Sequence, residues 1–201
     1  MIRAIVFDLG KVIIPFDLER GYRALGPYCR VPLDEIPKRI QASDLVVRFE
    51  TGQVAPGEFV REFSALLDLE VGYERFCELW SSIFLPDALI PEALLAALHR
   101  RYPLLLLSNT NAIHFEMVRE RYPLLGHFDE FVLSYEVGTL KPDRRIYEEA
   151  VRRAGVPAEE MFFTDDIPRY VEAAREVGLD AVEFRSAVQI EEELRTRGVE
   201  W

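Results

Sequence analysis

Five runs of three or four mostly apolar residues punctuate the chain, at Ala4–Phe7, Leu104–Leu107, Phe131–Leu133, Met161–Phe163 and Ala181–Phe184. A strand with one wet face alternates apolar and polar residues. These runs do so hardly at all, which is the mark of strands covered on both faces. Helical patterns separate most of them. Glu92–Arg100 precedes the second run and Ile113–Arg121 follows it. Asp143–Ala154 lies between the third and fourth, and Val171–Val177 fills the next gap. This rhythm predicts an α/β fold, a doubly wound, Rossmann-like parallel sheet with right-handed crossovers.

The interval 16–85 breaks the rhythm. It holds no convincing strand, and helical stretches recur at Leu18–Leu25, Leu33–Gln41, Pro56–Leu67 and Tyr73–Phe84. A segment this long is not a loop in a compact domain. The expected organisation is a core of residues 1–15 and 86–201, with a small helical cap, 16–85, inserted after the first strand. Phe59, Phe63, Phe76, Trp80 and Phe84 recur at helical spacing, as packing between cap helices requires. The tail, Ile190–Arg197, reads as a charged, exposed helix. No internal repeat or low-complexity segment is present.

The bulk properties narrow the function. The chain has 201 residues, enough for one core and an accessory lobe. Its net charge of −11 opposes nucleic acid and anionic membrane as partners. A small anionic substrate remains compatible, since it needs only a local positive site. No apolar run approaches the ~20 residues of a bilayer span. The N-terminal Met-Ile-Arg-Ala-Ile-Val-Phe-Asp reads as a strand, not a signal peptide. Two cysteines, Cys29 and Cys77, make no disulfide framework. A cytoplasmic location is expected.

In an open parallel sheet, reactive groups gather at the carboxyl ends of the strands. Read in order, those ends carry Asp8, then Ser108-Asn109, then Asp165-Asp166, while Lys141 sits in a loop just before a helix. Taken singly, an Asp or a Ser-Asn after a strand is ordinary turn chemistry. Together they are complementary. Carboxylates converging at one edge repel each other and are costly to bury unpaired. A divalent cation cancels the repulsion, and an all-oxygen set suits Mg²⁺ better than Zn²⁺. Beside such an ion a carboxylate can attack phosphorus, while a lysine, a hydroxyl and backbone N–H groups hold the phosphoryl oxygens.

Four segments at these positions carry a family resemblance: Val6-Phe7-Asp8-Leu9-Gly10-Lys11-Val12, Leu107-Ser108-Asn109-Thr110-Asn111, Lys141-Pro142 with Ile146-Tyr147, and Phe162-Phe163-Thr164-Asp165-Asp166. In this order, across nearly the whole chain, they resemble the haloacid dehalogenase-like hydrolases, in the branch with a helical cap after the first strand. Within it the chain looks most like small sugar-phosphate phosphatases. The resemblance implies that Asp8 is the nucleophile and a metal ligand. Ser108 and the backbone of Asn109 bind the phosphoryl group, and Lys141 bridges Asp8 and a phosphoryl oxygen. Asp165, with Asp166 beside it, holds Mg²⁺, and the cap closes over a small phosphorylated metabolite.

Two departures qualify that expectation. The family usually carries a second Asp two residues after the nucleophile, as general acid and base, and this chain has Gly10. Its carbonyl still serves a metal, but it has no side chain to move a proton, a loss of about 10²–10⁴ in rate when the leaving group is poor. After Asp166 the chain reads Ile167-Pro168-Arg169-Tyr170 where many relatives have a polar residue, so metal affinity is expected to rest more heavily on Asp165 and Asp166. Gly10 leaves two alternatives open: a 2-haloacid dehalogenase, whose halide leaves unprotonated, and a member that binds a phosphorylated ligand without turnover. His114 and Lys11 are lesser candidates. The first is expected to be a hydrogen-bonded helix residue and the second a solvent-facing loop residue. His99 and His127 read as surface or helix-end residues, and Arg144 and Arg145 as solvated.

Overall fold

The structure, a computed structural model, describes all 201 residues. Five parallel strands form one sheet: β1 (Ala4–Phe7), β2 (Leu104–Ser108), β3 (Glu130–Leu133), β4 (Met161–Asp165) and β5 (Asp180–Glu183), in the order β3-β2-β1-β4-β5. The first strand is therefore central, with the order reversing beside it. Every residue of β1, β2 and β4 is buried. That burial explains the missing alternation, because the two faces meet two different apolar layers. Ile5, Phe7, Leu104, Leu106 and Phe162 point into one layer, and Ala4, Val6, Leu105, Leu107 and Phe163 into the other.

Between β1 and β2 every named element is helical: α1 (Leu18–Leu25), α2 (Ile36–Ala42), α3 (Leu45–Glu50), α4 (Pro56–Leu67), α5 (Tyr73–Trp80) and α6 (Glu92–His99), with short 3₁₀ turns between some of them. The first five build a lobe with its own apolar centre, in which Phe49 stacks on Phe59 at 4.0 Å and Phe63 meets Phe76 edge-on at 5.4 Å. Each buried aromatic ring of this kind contributes about 1.5–3 kcal/mol. The lobe touches the sheet domain through Ile113, which belongs to its apolar cluster.

The remaining helices are α7 (Ala112–Arg121), α8 (Ser134–Val137), α9 (Arg144–Ala154), α10 (Pro168–Val177) and α11 (Ala187–Thr196). Three differences from the sequence reading stand out. Helices α3 and α8 are too short to show a helical period. Helix α10 begins at Pro168, whose fixed φ suits a first turn. The tail helix α11 is not simply exposed. Ile190 and Leu194, four residues apart, are fully buried in the sheet's apolar layer, and the run Glu191-Glu192-Glu193 between them hides that stripe. No helix is long and apolar enough to cross a membrane.

Candidate active site

Register brings the site together. Phe7 is level with Leu106 on one side and with Thr164 on the other. The next residues, Asp8, Leu107 and Asp165, therefore reach the sheet edge at one height, and the Asp8 N–H donates to the Thr164 carbonyl at 3.0 Å. Lys141 enters from the loop between α8 and α9 and closes the group. Its Nζ donates to Asp8 Oδ1 at 2.7 Å, to Asp165 Oδ2 at 2.5 Å and to the Leu107 carbonyl at 3.1 Å. An ammonium has three donors, and all three are taken up. The expected bridge from Lys141 to a phosphoryl oxygen thus requires one of these bonds to be released.

Asn109 fixes where Lys141 stands. Its Oδ1 accepts the Lys141 backbone N–H at 2.8 Å and its Nδ2 donates to the Lys141 carbonyl at 3.1 Å. With that side chain occupied, the backbone of Asn109 is what remains for a ligand. Ser108 ends β2, and Ser108, Asn109 and Thr110 line a cavity of about 470 Å³ between sheet edge and lobe. Ser134, absent from the sequence reading, braces this loop: its Oγ accepts the Thr110 N–H and donates to the Thr110 carbonyl, both at 2.9 Å.

The electrostatics of the group are one-sided. Lys141 carries a single positive charge against Asp8 and Asp165, and its side chain is 1% exposed. Burial alone would lower its pKa, but the two carboxylates more than reverse this and hold it charged. Asp8 is pushed up to about 7 by burial, with Asp165 adding to the rise and Lys141 opposing it. Asp166 is also raised, by burial and then by Asp165. The cluster is short of positive charge.

A divalent cation supplies that charge, and the donors fit one. Asp8, Asp165 and Asp166 each offer a carboxylate oxygen, all within 4.8 Å of one another. Gly10 adds a carbonyl that no hydrogen bond of the structure occupies. An all-oxygen, carboxylate-rich set of this size is one for Mg²⁺ rather than Zn²⁺. Asp165 Oδ1 is held in place by the Ile167 N–H at 2.9 Å, so a backbone group supports the metal side where the polar side chain is missing.

Gly10 has a neighbour that the sequence does not announce. A Cβ at this position would lie 2.7 Å from Cε1 of Phe16, so the aromatic ring stands where an acid's side chain would begin. His114 does not replace that acid. Its Nε2 lies 3.1 Å from the Trp80 carbonyl, an acceptor only, so Nε2 carries the hydrogen and Nδ1 accepts from Asn111 Nδ2 at 3.1 Å. Burial pushes its pKa down to about 4, which leaves a neutral ring stacked on Trp80. Lys11 is exposed, with Nζ 5.1 Å from the centre of the Phe16 ring. His99 and His127 come just before β2 and β3, at the opposite end of the strands from this edge, and lie against Asp129 and Glu92. Arg144 and Arg145 pair with Glu148 and Asp143.

Known proteins share this architecture. The model of the haloacid dehalogenase-like hydrolases matches residues 2–178. The chain is similar to the D-ribitol-5-phosphate phosphatase of Bacteroides thetaiotaomicron, 26% identical over 96% of this chain and 97% of that protein. It is 29% identical to a phosphatase of Mycobacterium tuberculosis over 90% of this chain and 86% of that one. Among solved structures, a haloacid dehalogenase-family enzyme of Bacteroides thetaiotaomicron, in complex with magnesium and inorganic phosphate, superposes with a TM-score of 0.81 at 27% identity, covering 92% of this chain and 96% of that one. With an Asp-Lys-Asp cluster at the edge of a five-stranded parallel sheet and a match along most of its length, this chain belongs to the haloacid dehalogenase-like hydrolase family.

Proposed function

We propose that the protein is a Mg²⁺-dependent phosphatase of a small phosphorylated metabolite, acting through an aspartyl-phosphate on Asp8. The observation that carries this reading is the buried Asp8–Lys141–Asp165 group at the sheet edge, where Ser108 and Asn109, next along the chain from Leu107, line the cavity beneath the lobe. The likeness to the D-ribitol-5-phosphate phosphatase supports a sugar or polyol phosphate as the substrate class. In this reading residues 16–85 are the cap and the cavity beneath them is the substrate pocket.

Each residue's part follows from its position. Lys141 holds Oδ1 of Asp8 and so fixes the carboxylate plane, leaving Oδ2 to attack phosphorus. Ser108 and the backbone of Asn109 hold the phosphoryl oxygens, and Lys141 counters charge developing on them. Asp8, Asp165, Asp166 and the Gly10 carbonyl hold Mg²⁺, which when bound offsets the negative charge of carboxylates and phosphoryl group alike. The ester P–O bond breaks as Oδ2 bonds to phosphorus. Water then attacks the same phosphorus, releasing phosphate and regenerating Asp8. The unpaired Cys29 and Cys77 suit a reducing compartment, and we place the protein in the cytoplasm.

A dehalogenase has no use for the acidic set at 165–166, and a ligand-binding protein has none for an Asp8 that Lys141 holds through one carboxylate oxygen. The deciding experiment is phosphate release from a panel of phosphate esters, including p-nitrophenyl phosphate, with Mg²⁺ and with EDTA. Turnover that needs Mg²⁺ and vanishes in Asp8→Asn is expected. Metal-independent chloride release from 2-chloropropionate, or no turnover of any ester, would overturn the reading.

A further inference from the structure

Gly10 leaves this reaction one group short. An alkoxide leaving phosphorus needs a proton, and the Phe16 ring occupies the place where a side chain at position 10 would supply it. Asp166, the other acid of the edge, is committed to the metal in that reading, so the donor is sought on the cavity wall, where the titratable side chains are Tyr22, Glu50 and His114. His114 has both ring nitrogens engaged and is neutral. Burial raises the Tyr22 phenol above its ordinary value, making it a weaker acid still.

Glu50 differs from both. It is the last residue of α3, in the lobe, and no hydrogen bond or ion pair holds its carboxyl. The nearby cation Arg48 is taken by Glu62 at 3.1 Å and Asp44 at 3.8 Å. The chain just beyond Glu50 is seated on the sheet domain. Gly52, with φ +69°, packs so closely on the Tyr135 carbonyl that a Cβ there would lie 2.1 Å from it, which only glycine permits. Tyr135 follows Ser134, the residue that braces Thr110. So this end of α3 is one of the parts of the lobe seated on the sheet domain near the loop that begins at Ser108, and Glu50 and Gly10 line the same cavity.

We propose that Glu50 is the proton donor to the leaving oxygen, standing in from the lobe for the acid that position 10 lacks. The proposal rests on the phosphatase reading above. In the first step Asp8 Oδ2 bonds to phosphorus, the bond to the leaving oxygen breaks with its electron pair, and that oxygen takes the Glu50 proton to depart as an alcohol. In the second, the Glu50 carboxylate takes a proton from the attacking water. The P–O bond to Asp8 breaks, phosphate leaves, and both carboxyl groups are restored. Burial amid the cavity wall holds the Glu50 carboxyl up to about 7, a value that serves donor and acceptor alike near neutrality.

The test compares two leaving groups in Glu50→Gln. On the best alkyl phosphate of the panel, kcat/KM, which reads only the steps up to departure of the leaving group and not the later hydrolysis common to both esters, is expected to fall by about 10²-fold or more. On p-nitrophenyl phosphate, whose leaving group departs without a proton, the loss is expected to be at most about a tenth as large, roughly 10-fold or less. Glu50→Ala gives a second reading, since added acetate should restore part of its alkyl-ester turnover. Equal losses on the two esters, no loss on either, or no acetate rescue overturns the proposal while leaving the phosphatase reading intact. A wild-type protein that cleaves neither ester overturns the phosphatase reading itself.

Discussion

The sheet edge and the helical lobe meet across one cavity but are built on opposite plans. At the edge, Asp8, Lys141 and Asp165 are buried and each is positioned by the backbone: strand register sets Asp8 and Asp165, and Asn109 clamps the main chain of Lys141 from both sides. In the lobe, aromatic packing makes the framework, and the one ionisable carboxyl facing the cavity, Glu50, is held by nothing but its helix. In the proposed reaction the edge delivers the same phosphoryl chemistry to any ester. The lobe decides what else of the substrate is touched, because its side chains are free to be exchanged without disturbing the register of the sheet.

The largest effect should come from the edge. Asp8→Asn keeps the shape and the hydrogen bond to Lys141 but removes the attacking oxygen's charge. Turnover should fall below about one-thousandth of wild type, since no other group can take over a covalent step. Steady-state kinetics on p-nitrophenyl phosphate measures it, and a residual rate within tenfold of wild type would shift the chemistry away from the edge altogether.

Lys141→Met comes next and asks whether the edge is a folding element as well as a chemical one. It leaves Asp8 and Asp165 buried without their cation, a loss of about 3–5 kcal/mol. Urea melts should show it, and saturating Mg²⁺ should return part of the loss, because a ligand bound only to the folded state stabilises it. A variant as stable as wild type without Mg²⁺ would mean that the acids simply take up protons.

Which of these features the sequence discloses depends on the range of the interaction. The strands were readable because burial on both faces suppresses alternation, and the strand-end acids because a parallel sheet delivers its carboxyl ends to one side. The convergence of Asp8 and Asp165 followed from topology, whereas Lys141, a loop residue with no strand register, was joined to them only by the family resemblance. The hydrogen-bonded ring of His114 was expected of a helix residue. Residues acting across the two regions left no trace. Phe16 reaches Gly10 by a turn only six residues long, yet nothing in its type distinguishes it from any apolar loop residue. Ser134 braces Thr110 from another strand end. Glu50 belongs to a helix of six residues, too short for a hydrophobic period, and its environment is made by the cavity and not by its neighbours in the chain.

Gly10→Asp probes the seam between the two regions. The new side chain must displace the Phe16 ring, an overpacking loss of about 1–3 kcal/mol. Pairing it with Phe16→Ala should recover much of that, giving a coupling of about 0.5–3 kcal/mol in a double-mutant cycle. Additive losses would show that the ring yields freely and does not guard the position.

The smallest effect isolates the lobe's own charge. The folded-state pKa of Glu50, about 7, lies above its ordinary 4.5, so the folded protein holds this proton more tightly than the unfolded chain. Below pH ~4.5 the carboxyl is protonated in both states and carries no penalty. As pH rises toward 7 the unfolded chain releases the proton first, and stability declines. Above 7 the penalty is complete, about 1–2 kcal/mol once partial solvent access is allowed for. Glu50→Gln removes it. The stability difference between Glu50→Gln and wild type should therefore favour the variant increasingly from pH 4.5 to 7 and then level off. The other titratable groups of the cavity leave the comparison unchanged, because His114 and Tyr22 are present in both proteins and Arg48 stays with Glu62 and Asp44. Denaturant melts of the two proteins at pH 4.5, 6 and 8 measure it. A difference that does not vary with pH would place Glu50 in water and make the lobe's charge no different from any surface carboxylate.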